Sequence, residues 1–225
     1  MDEAQVERIL VESERALATS RRPDLTALGF WRAVAAVKRS PDLVRRHADR
    51  IGAIDRESFQ RQVRLRFPVA AGLVLDLLGV GVGKVLLWLA FFVPSPQREL
   101  AILAGMGAVL VGSHTLVHYV VGRLLGIRFS HWFFVPPLRP QPGFKTDYAS
   151  YLRTPARARA WMHASGAIVS KLVPFLTIPV ALAAGAQSWA IWVLIAIAFG
   201  QLVTDAVFST RASDWKRFRR EMRAA

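Results

Sequence analysis

Four long apolar runs restrict what this chain can fold into more than any other feature. They cover about residues 67–93, 100–127, 164–184 and 188–208. Each has about 20 residues or more, the length at which a helix crosses about 30 Å of hydrocarbon. In a bilayer every backbone polar group must be satisfied within the protein, so such runs fold as helices. The expected class is an all-α, polytopic membrane protein with four transmembrane helices over residues 67–208. Residues 128–162 form an interfacial loop within that domain. Residues 1–66 are expected as a cytoplasmic helical region, and 209–225 as a basic tail. The composition supports this: thirteen Phe and seven Trp belong to a 53% hydrophobic chain, with the apolar residues clustered in the spans.

The formal charge of +14 would suit nucleic acid if the bases formed one patch with a readout motif. Instead they flank the apolar runs, which points to membrane topology and lipids. The N-terminal region, the segment after Ile127 and the tail after Thr210 are rich in Arg and Lys. Pro94 to Glu99 holds a single Arg, and the turn near Gly185 holds no charge. The positive-inside rule then places both termini and the long middle loop in the cytoplasm, in a multi-pass protein of the cell membrane. No short apolar core precedes a cleavage site in the first sixty-odd residues, so the first span is expected to act as its own targeting signal. There is no cysteine, which excludes disulfides and thiolate metal sites. No glycine-rich phosphate loop with its lysine occurs, which argues against nucleotide hydrolysis.

In residues 1–66 fourteen Arg/Lys stand against ten Asp/Glu. Val6, Ile9, Leu10 and Leu17 recur at helical spacing. A second helix is expected from Asp24 to Arg39, with Leu25, Leu28, Trp31, Val34 and Val37 on one side. Ser40-Pro41-Asp42 reads as a helix start, with Ser40 as N-cap. These amphipathic helices suit a cap on the membrane domain or a partner-binding module, and Trp31 with Phe30 suits a dip into the interface. The middle loop carries five prolines, the run His131-Trp132-Phe133-Phe134, and Tyr148 and Tyr151. That suits an aromatic belt or a hairpin dipping toward the core. The tail from Ser213 to Arg220 is basic and aromatic and suits the anionic leaflet surface. Gly79 and Gly83, and Gly122 and Gly126, have the small-xxx-small spacing of close helix packing, expected within the chain.

Charges inside spans are costly and tend to be paired or functional. Here they are Asp76, Lys84, His114, His118, Arg123, Lys171 and Asp205. At about 1.5 Å per residue, Asp76, His118 and Lys171 lie roughly 12–13 Å inside their spans, and Asp205 within about 10 Å. Groups from four helices thus fall in one cytoplasmic-side layer. His114 and His118 are four apart, so both imidazoles share one helix face, as in a zincin His-Glu-x-x-His motif. Here Thr115 occupies the glutamate position. Two arrangements fit. In one, His114, His118 and Asp205 bind a metal and Asp76 orients a histidine or adds a ligand. In the other, Lys171 neutralises Asp76 or Asp205 in a metal-free polar network. Haem ligation is discounted, because two histidines one turn apart cannot reach opposite faces of one haem.

From about Ala101 to Asp214 the chain resembles the site-2 protease family of intramembrane zinc metalloproteases. Ser113-His114-Thr115-Leu116-Val117-His118, followed by Gly122-Arg123-Leu124-Leu125-Gly126-Ile127, resembles the family's zinc helix. Ser165-Gly166-Ala167-Ile168-Val169-Ser170 stands where the family often has Ala-Gly-Pro-x-x-Asn, and keeps only the glycine. Thr204-Asp205-Ala206 falls where the family places its third ligand, an Asp followed by Gly. The resemblance implies zinc held by His114, His118 and Asp205. It also implies a missing base, since the Thr115 hydroxyl cannot accept a proton from bound water at neutral pH. Losing a positioned base costs about 10²–10⁴-fold in rate.

The leading reading is a zinc-binding, proteolytically impaired relative that binds or regulates transmembrane segments of other membrane proteins. One alternative is an active protease with Asp76 as substitute base. Another is an ion-conducting or transport protein lined by the same charges, although the four spans show no internal repeat.

Overall fold

The computed structural model describes residues 1–135, 139–207 and 213–224, with the backbone path alone at 139–141 and 204–207. The chain begins with three helices, α1 (Glu3–Thr19), α2 (Phe30–Val37) and α3 (Pro41–Gln62). Their starts follow from local chemistry. Asp2 and Gln5 form a reciprocal capping box on α1. Ser40 caps α3 by accepting from Leu43 N, with Pro41 in the first turn, as its sequence predicts. The second helix is shorter than expected. The Asp24 carboxylate accepts from the N–H groups of Thr26 and Ala27 and holds a turn there. Gly29 then takes a left-handed φ of 81°, and α2 begins only after it.

Val6, Leu10, Leu17, Phe30, Val34, Val37, Ile51 and Ile54 fill the core of this bundle. Phe30 is fully buried in it, so it does not dip into an interface; Trp31 stays half exposed and packs edge-on against Tyr148.

Three further helices are long and apolar enough to cross a membrane: α4 (Val69–Leu89), α5 (Gln97–Leu124) and α7 (Ala156–Ala183). The last begins eight residues before the expected 164, and its first two turns bury Arg159, Ala160, Met162 and His163 inside the protein. The fourth expected span falls on α8 (Ser188–Val207), an apolar helix of 20 residues whose side chains are described as far as Val203. Large apolar side chains point outward along these helices, among them Leu78, Trp88, Leu176 and Trp192. A continuous apolar exterior of this kind is compatible with an integral membrane protein and is costly in water.

Glycines set the helix spacing. A Cβ on Gly83 would meet Gly105 O at 2.7 Å, and one on Gly112 would meet Asp76 O at 2.8 Å, so α4 and α5 pack backbone to backbone. Gly79 faces open space instead, so the small-xxx-small reading holds for only one member of that pair. Gly122 receives the ring of Phe129, while Gly126 ends α5 with a φ of 86°. At the opposite end, Glu99 is buried and accepts from Gln187 N at 3.0 Å, and Arg98 Nη1 donates to Gly185 O at 2.7 Å. These contacts tie the start of α5 to the α7–α8 turn.

A small sheet adds to the helical architecture. β1 (Arg66–Phe67), β2 (Phe129–Val135) and β3 (Arg139–Thr146) pair antiparallel in the order β1-β2-β3. The middle loop is thus a hairpin that leans on the helices. Trp132 lies over Gly72 of α4, where a Cβ would come within 2.2 Å of it, and Phe129 and Phe144 pack on Tyr119 of α5. Lys145 meets the buried Asp55 of α3 at 2.6 Å, joining the hairpin to the N-terminal bundle. A short helix, α6 (Tyr148–Arg153), and the C-terminal α9 (Asp214–Met222) complete the fold.

Candidate metal centre

α7 presents a stripe of unusual residues toward α5 and α9: Arg159, His163, Gly166 and Ser170, at steps of four, three and four. That spacing places all of them on one helix face. α9 is capped by Ser213, which accepts from Lys216 N. It carries Asp214 and Glu221 seven residues apart, hence also on one face. Its aromatic side stacks Trp215 on Phe218, and Phe218 meets Trp161 of α7 edge-on. α5 contributes His114 and His118, whose ring centroids lie 4.7 Å apart.

Asp214 lies between these two histidines. Its Oδ2 is 2.9 Å from His118 Nε2 and 3.5 Å from His114 Nε2. The three ligand atoms all lie within 4.8 Å of one another, the one such group among the described residues. All three side chains are less than one-fifth exposed.

The second nitrogen of each ring is also engaged. His118 Nδ1 is 2.7 Å from Met162 O. His114 Nδ1 is 2.7 Å from Ser170 Oγ and 3.2 Å from Gly166 O. The Ser170 hydroxyl donates its one hydrogen to Gly166 O, so it accepts from His114 Nδ1–H. Carbonyl and hydroxyl acceptors therefore hold both Nδ1 atoms protonated and turn both Nε2 atoms toward the carboxylate. Gly166 makes the room for this, since a Cβ there would lie 2.1 Å from His118 Nε2.

In neutral histidines with Nδ1 protonated, each Nε2 carries a lone pair, and the carboxylate oxygen is also an acceptor. Such acceptors do not share a buried site without a proton or a cation between them. Without a cation the place is filled by a proton between His118 Nε2 and the carboxylate; burial disfavours the charge on Asp214, yet that hydrogen bond and the nearby Arg217 hold it well below the usual carboxylate range. Two imidazoles and one ionised carboxylate match the preferences of zinc, whose ligand distances of about 2.0–2.1 Å give tetrahedral edges of about 3.3 Å. The observed 2.9 and 3.5 Å bracket that edge.

The other residues singled out from sequence stand elsewhere. The Asp205 side chain lies outside the described residues; among those described, the carboxylate at the histidine pair is Asp214. Thr115 is buried, and its hydroxyl donates to Val111 O of its own helix at 3.2 Å. Asp76 does not orient a histidine, because both Nδ1 atoms are taken by α7. Its Oδ1 accepts from the Trp132 indole at 3.3 Å, and its Oδ2 has no hydrogen-bond partner among the described residues. A base role for Asp76 at the histidines gains no support from this placement. Lys171 donates to Ala167 O at 3.2 Å.

Sequence reading passed over Asp214, Glu221 and His163. The signal was there in their spacing: a seven-residue acid pair on α9, facing Arg159 and His163 four apart on α7. No family model, no characterised protein and no solved structure gives a significant match to this chain.

Proposed function

We propose that this is an integral membrane protein with a site-2-protease-like helical core, holding zinc at His114, His118 and Asp214 on its cytoplasmic side. It binds or regulates transmembrane segments of other membrane proteins and does not cleave them. The observation that carries the metal is the convergence of two Nε2 atoms, each fixed by an acceptor on its Nδ1, on one carboxylate oxygen. A bound zinc would supply Lewis acidity and a positive charge that joins α5 to α9. The residues around it are suited to holding rather than to hydrolysis. Thr115 is turned into its own helix and Asp76 toward Trp132, so neither serves as a base at this centre. Asp214 belongs to a helix that closes over the histidines, which fits a permanent clasp better than an open cleft.

Metal analysis of the detergent-purified chain, isolated without chelator and with zinc supplied, tests this. Near-stoichiometric zinc is expected in the wild type and in Asp205→Ala. It should be lost in His114→Ala/His118→Ala and in Asp214→Ala. A metal-free wild type would sink the proposal, and loss in Asp205→Ala with retention in Asp214→Ala would move the third ligand back into the span.

A further inference from the structure

We propose that the cleft at the start of α7 binds a phosphate-bearing anion, held by the backbone of Ala156 and Arg157, the Arg159 guanidinium and Lys38. The site shares no residue with the three metal ligands and does not depend on them.

The cleft lies between the N-terminal bundle and the first turn of α7 and has a volume of about 480 Å³. That size admits a phosphate with an organic group attached. Lys38, Arg45, Arg153, Arg157 and Arg159 line it, and no carboxylate does. The acids that answer these cations stand outside the lining. Arg45 pairs with Asp42, Arg153 with Asp49, and Lys38 and Arg159 share Glu221. Arg157 is exposed and pairs with no acid among the described residues. The cleft thus keeps positive charge that its ion pairs do not neutralise, and its concave wall concentrates that field.

Two features supply donors. α7 starts at Pro155, and no side chain caps its first turn. The first bond of the helix runs from Arg159 N to Pro155 O at 3.0 Å, so the N–H groups of Ala156 and Arg157 have no acceptor among the described residues. Free N–H groups and the helix dipole together favour an anion at such an end. The second feature is Arg159, which is only 3% exposed. Its Nε donates to Glu221 Oε2 at 2.7 Å, and its Nη1 to Thr154 O at 2.7 Å and Leu152 O at 3.3 Å. Its Nη2 makes no hydrogen bond to a described residue, and the side chain lines the cleft. A buried guanidinium gains when its remaining N–H groups meet an acceptor, and phosphate oxygens suit its planar fork. Burial pushes the Lys38 ammonium down despite Glu221, and an anion in the cleft would oppose that.

Ala156 stands eight residues before the stretch of α7 expected in the bilayer, about 12 Å along the helix axis. At that level the phosphate can belong to a soluble anion or to a phospholipid headgroup that carries phosphate beyond its glycerol.

The test uses the full chain in detergent, with equilibrium dialysis of radiolabelled inorganic phosphate. Saturable binding is expected, and it should persist in His114→Ala/His118→Ala. Arg157→Ala leaves every ion pair described above in place and should weaken binding about 10-fold, as for one charge-assisted hydrogen bond. Ala156→Pro removes a free N–H where helices accept proline and should weaken binding about 2–10-fold. Arg8→Ala removes an exposed cation from α1 and should bind as the wild type. In phosphatidylcholine nanodiscs, adding phosphatidylinositol phosphate should displace the label if the ligand is a headgroup and leave it bound if the ligand is soluble; either result keeps the site. No saturable binding, wild-type affinity in both Arg157→Ala and Ala156→Pro, or an equal loss in Arg8→Ala and Arg157→Ala would overturn the proposal. Loss of binding in His114→Ala/His118→Ala would assign the phosphate to the metal and overturn it too.

Discussion

The N-terminal bundle and the α5–α7–α9 junction are held together by opposite means. The bundle closes on Phe30, Leu10, Ile51 and their neighbours, all apolar and, apart from Leu152 of α6, all drawn from Val6 to Ile54. Its surface ion pairs, such as Arg50 with Glu14 at 2.5 Å, are exposed and contribute little. The junction closes on buried polar groups: His114, His118 and Asp214 at one end of α9, and Glu221 with Lys38 and Arg159 at the other. Apolar packing tolerates exchange of one hydrocarbon for another. A buried polar junction tolerates the loss of no single partner, because the group left behind has no water to turn to.

Opposed substitutions give the sharpest test of that contrast. Phe30→Ala should destabilise the bundle by about 3–5 kcal/mol through lost burial and a cavity, while leaving metal content unchanged. Glu221→Ala should cost a similar amount, about 3–5 kcal/mol, by leaving Lys38 and Arg159 buried without a counter-charge. It should also release α9, read as new protease cleavage near residues 208–224. If Glu221→Ala left α9 protected, the junction would not depend on its buried charges.

Next in size is Gly166→Ala. The added methyl would fall on His118, so the ring must leave its place and metal affinity should drop by two orders of magnitude or more, about 10²-fold as for a displaced ligand-orienting group. The N-terminal bundle should melt as in the wild type. An unchanged metal content in Gly166→Ala would show that His118 is not required in this position.

The smallest effect expected is acid sensitivity. Glu221 sits near 2 in the folded protein against an ordinary 4.5. Its contribution is fully present above about 4.5 and is lost as pH falls from there through about 2. Thermal unfolding of the junction should therefore weaken across that window, and Glu221→Gln should flatten this part of the profile. A wild-type profile that Glu221→Gln leaves unaltered would remove the carboxylate as the cause.

The two regions also differ in how far they could be read in advance. Helical periodicity in residues 1–66 and the Ser40-Pro41 start marked the bundle, because apolar spacing and caps act over a few residues. Asp24 and Gly29 shortened the second helix through an equally local signal that periodicity alone overlooks. The histidine pair was legible for the same reason, as two residues one turn apart. Its carboxylate was not: His118 and Asp214 are separated by 96 positions, and Glu221 and Lys38 by 183.

What the sequence determined by itself is the apolar length of the helices, the shared face of His114 and His118, the absence of a glutamate between them and the exclusion of thiolate ligands. Each is a property of one residue type or one helix repeat. What only the tertiary structure decided is that Asp214 faces the histidines, that Asp76 turns to Trp132, and that Glu221 is held between Lys38 and Arg159. Those depend on how α7 presents its stripe to α5 and α9. Helix packing sets that relation, with α7 brought against α5 at Gly166 and α5 against α4 at Gly83, Gly105 and Gly112, and no spacing along a single helix encodes it.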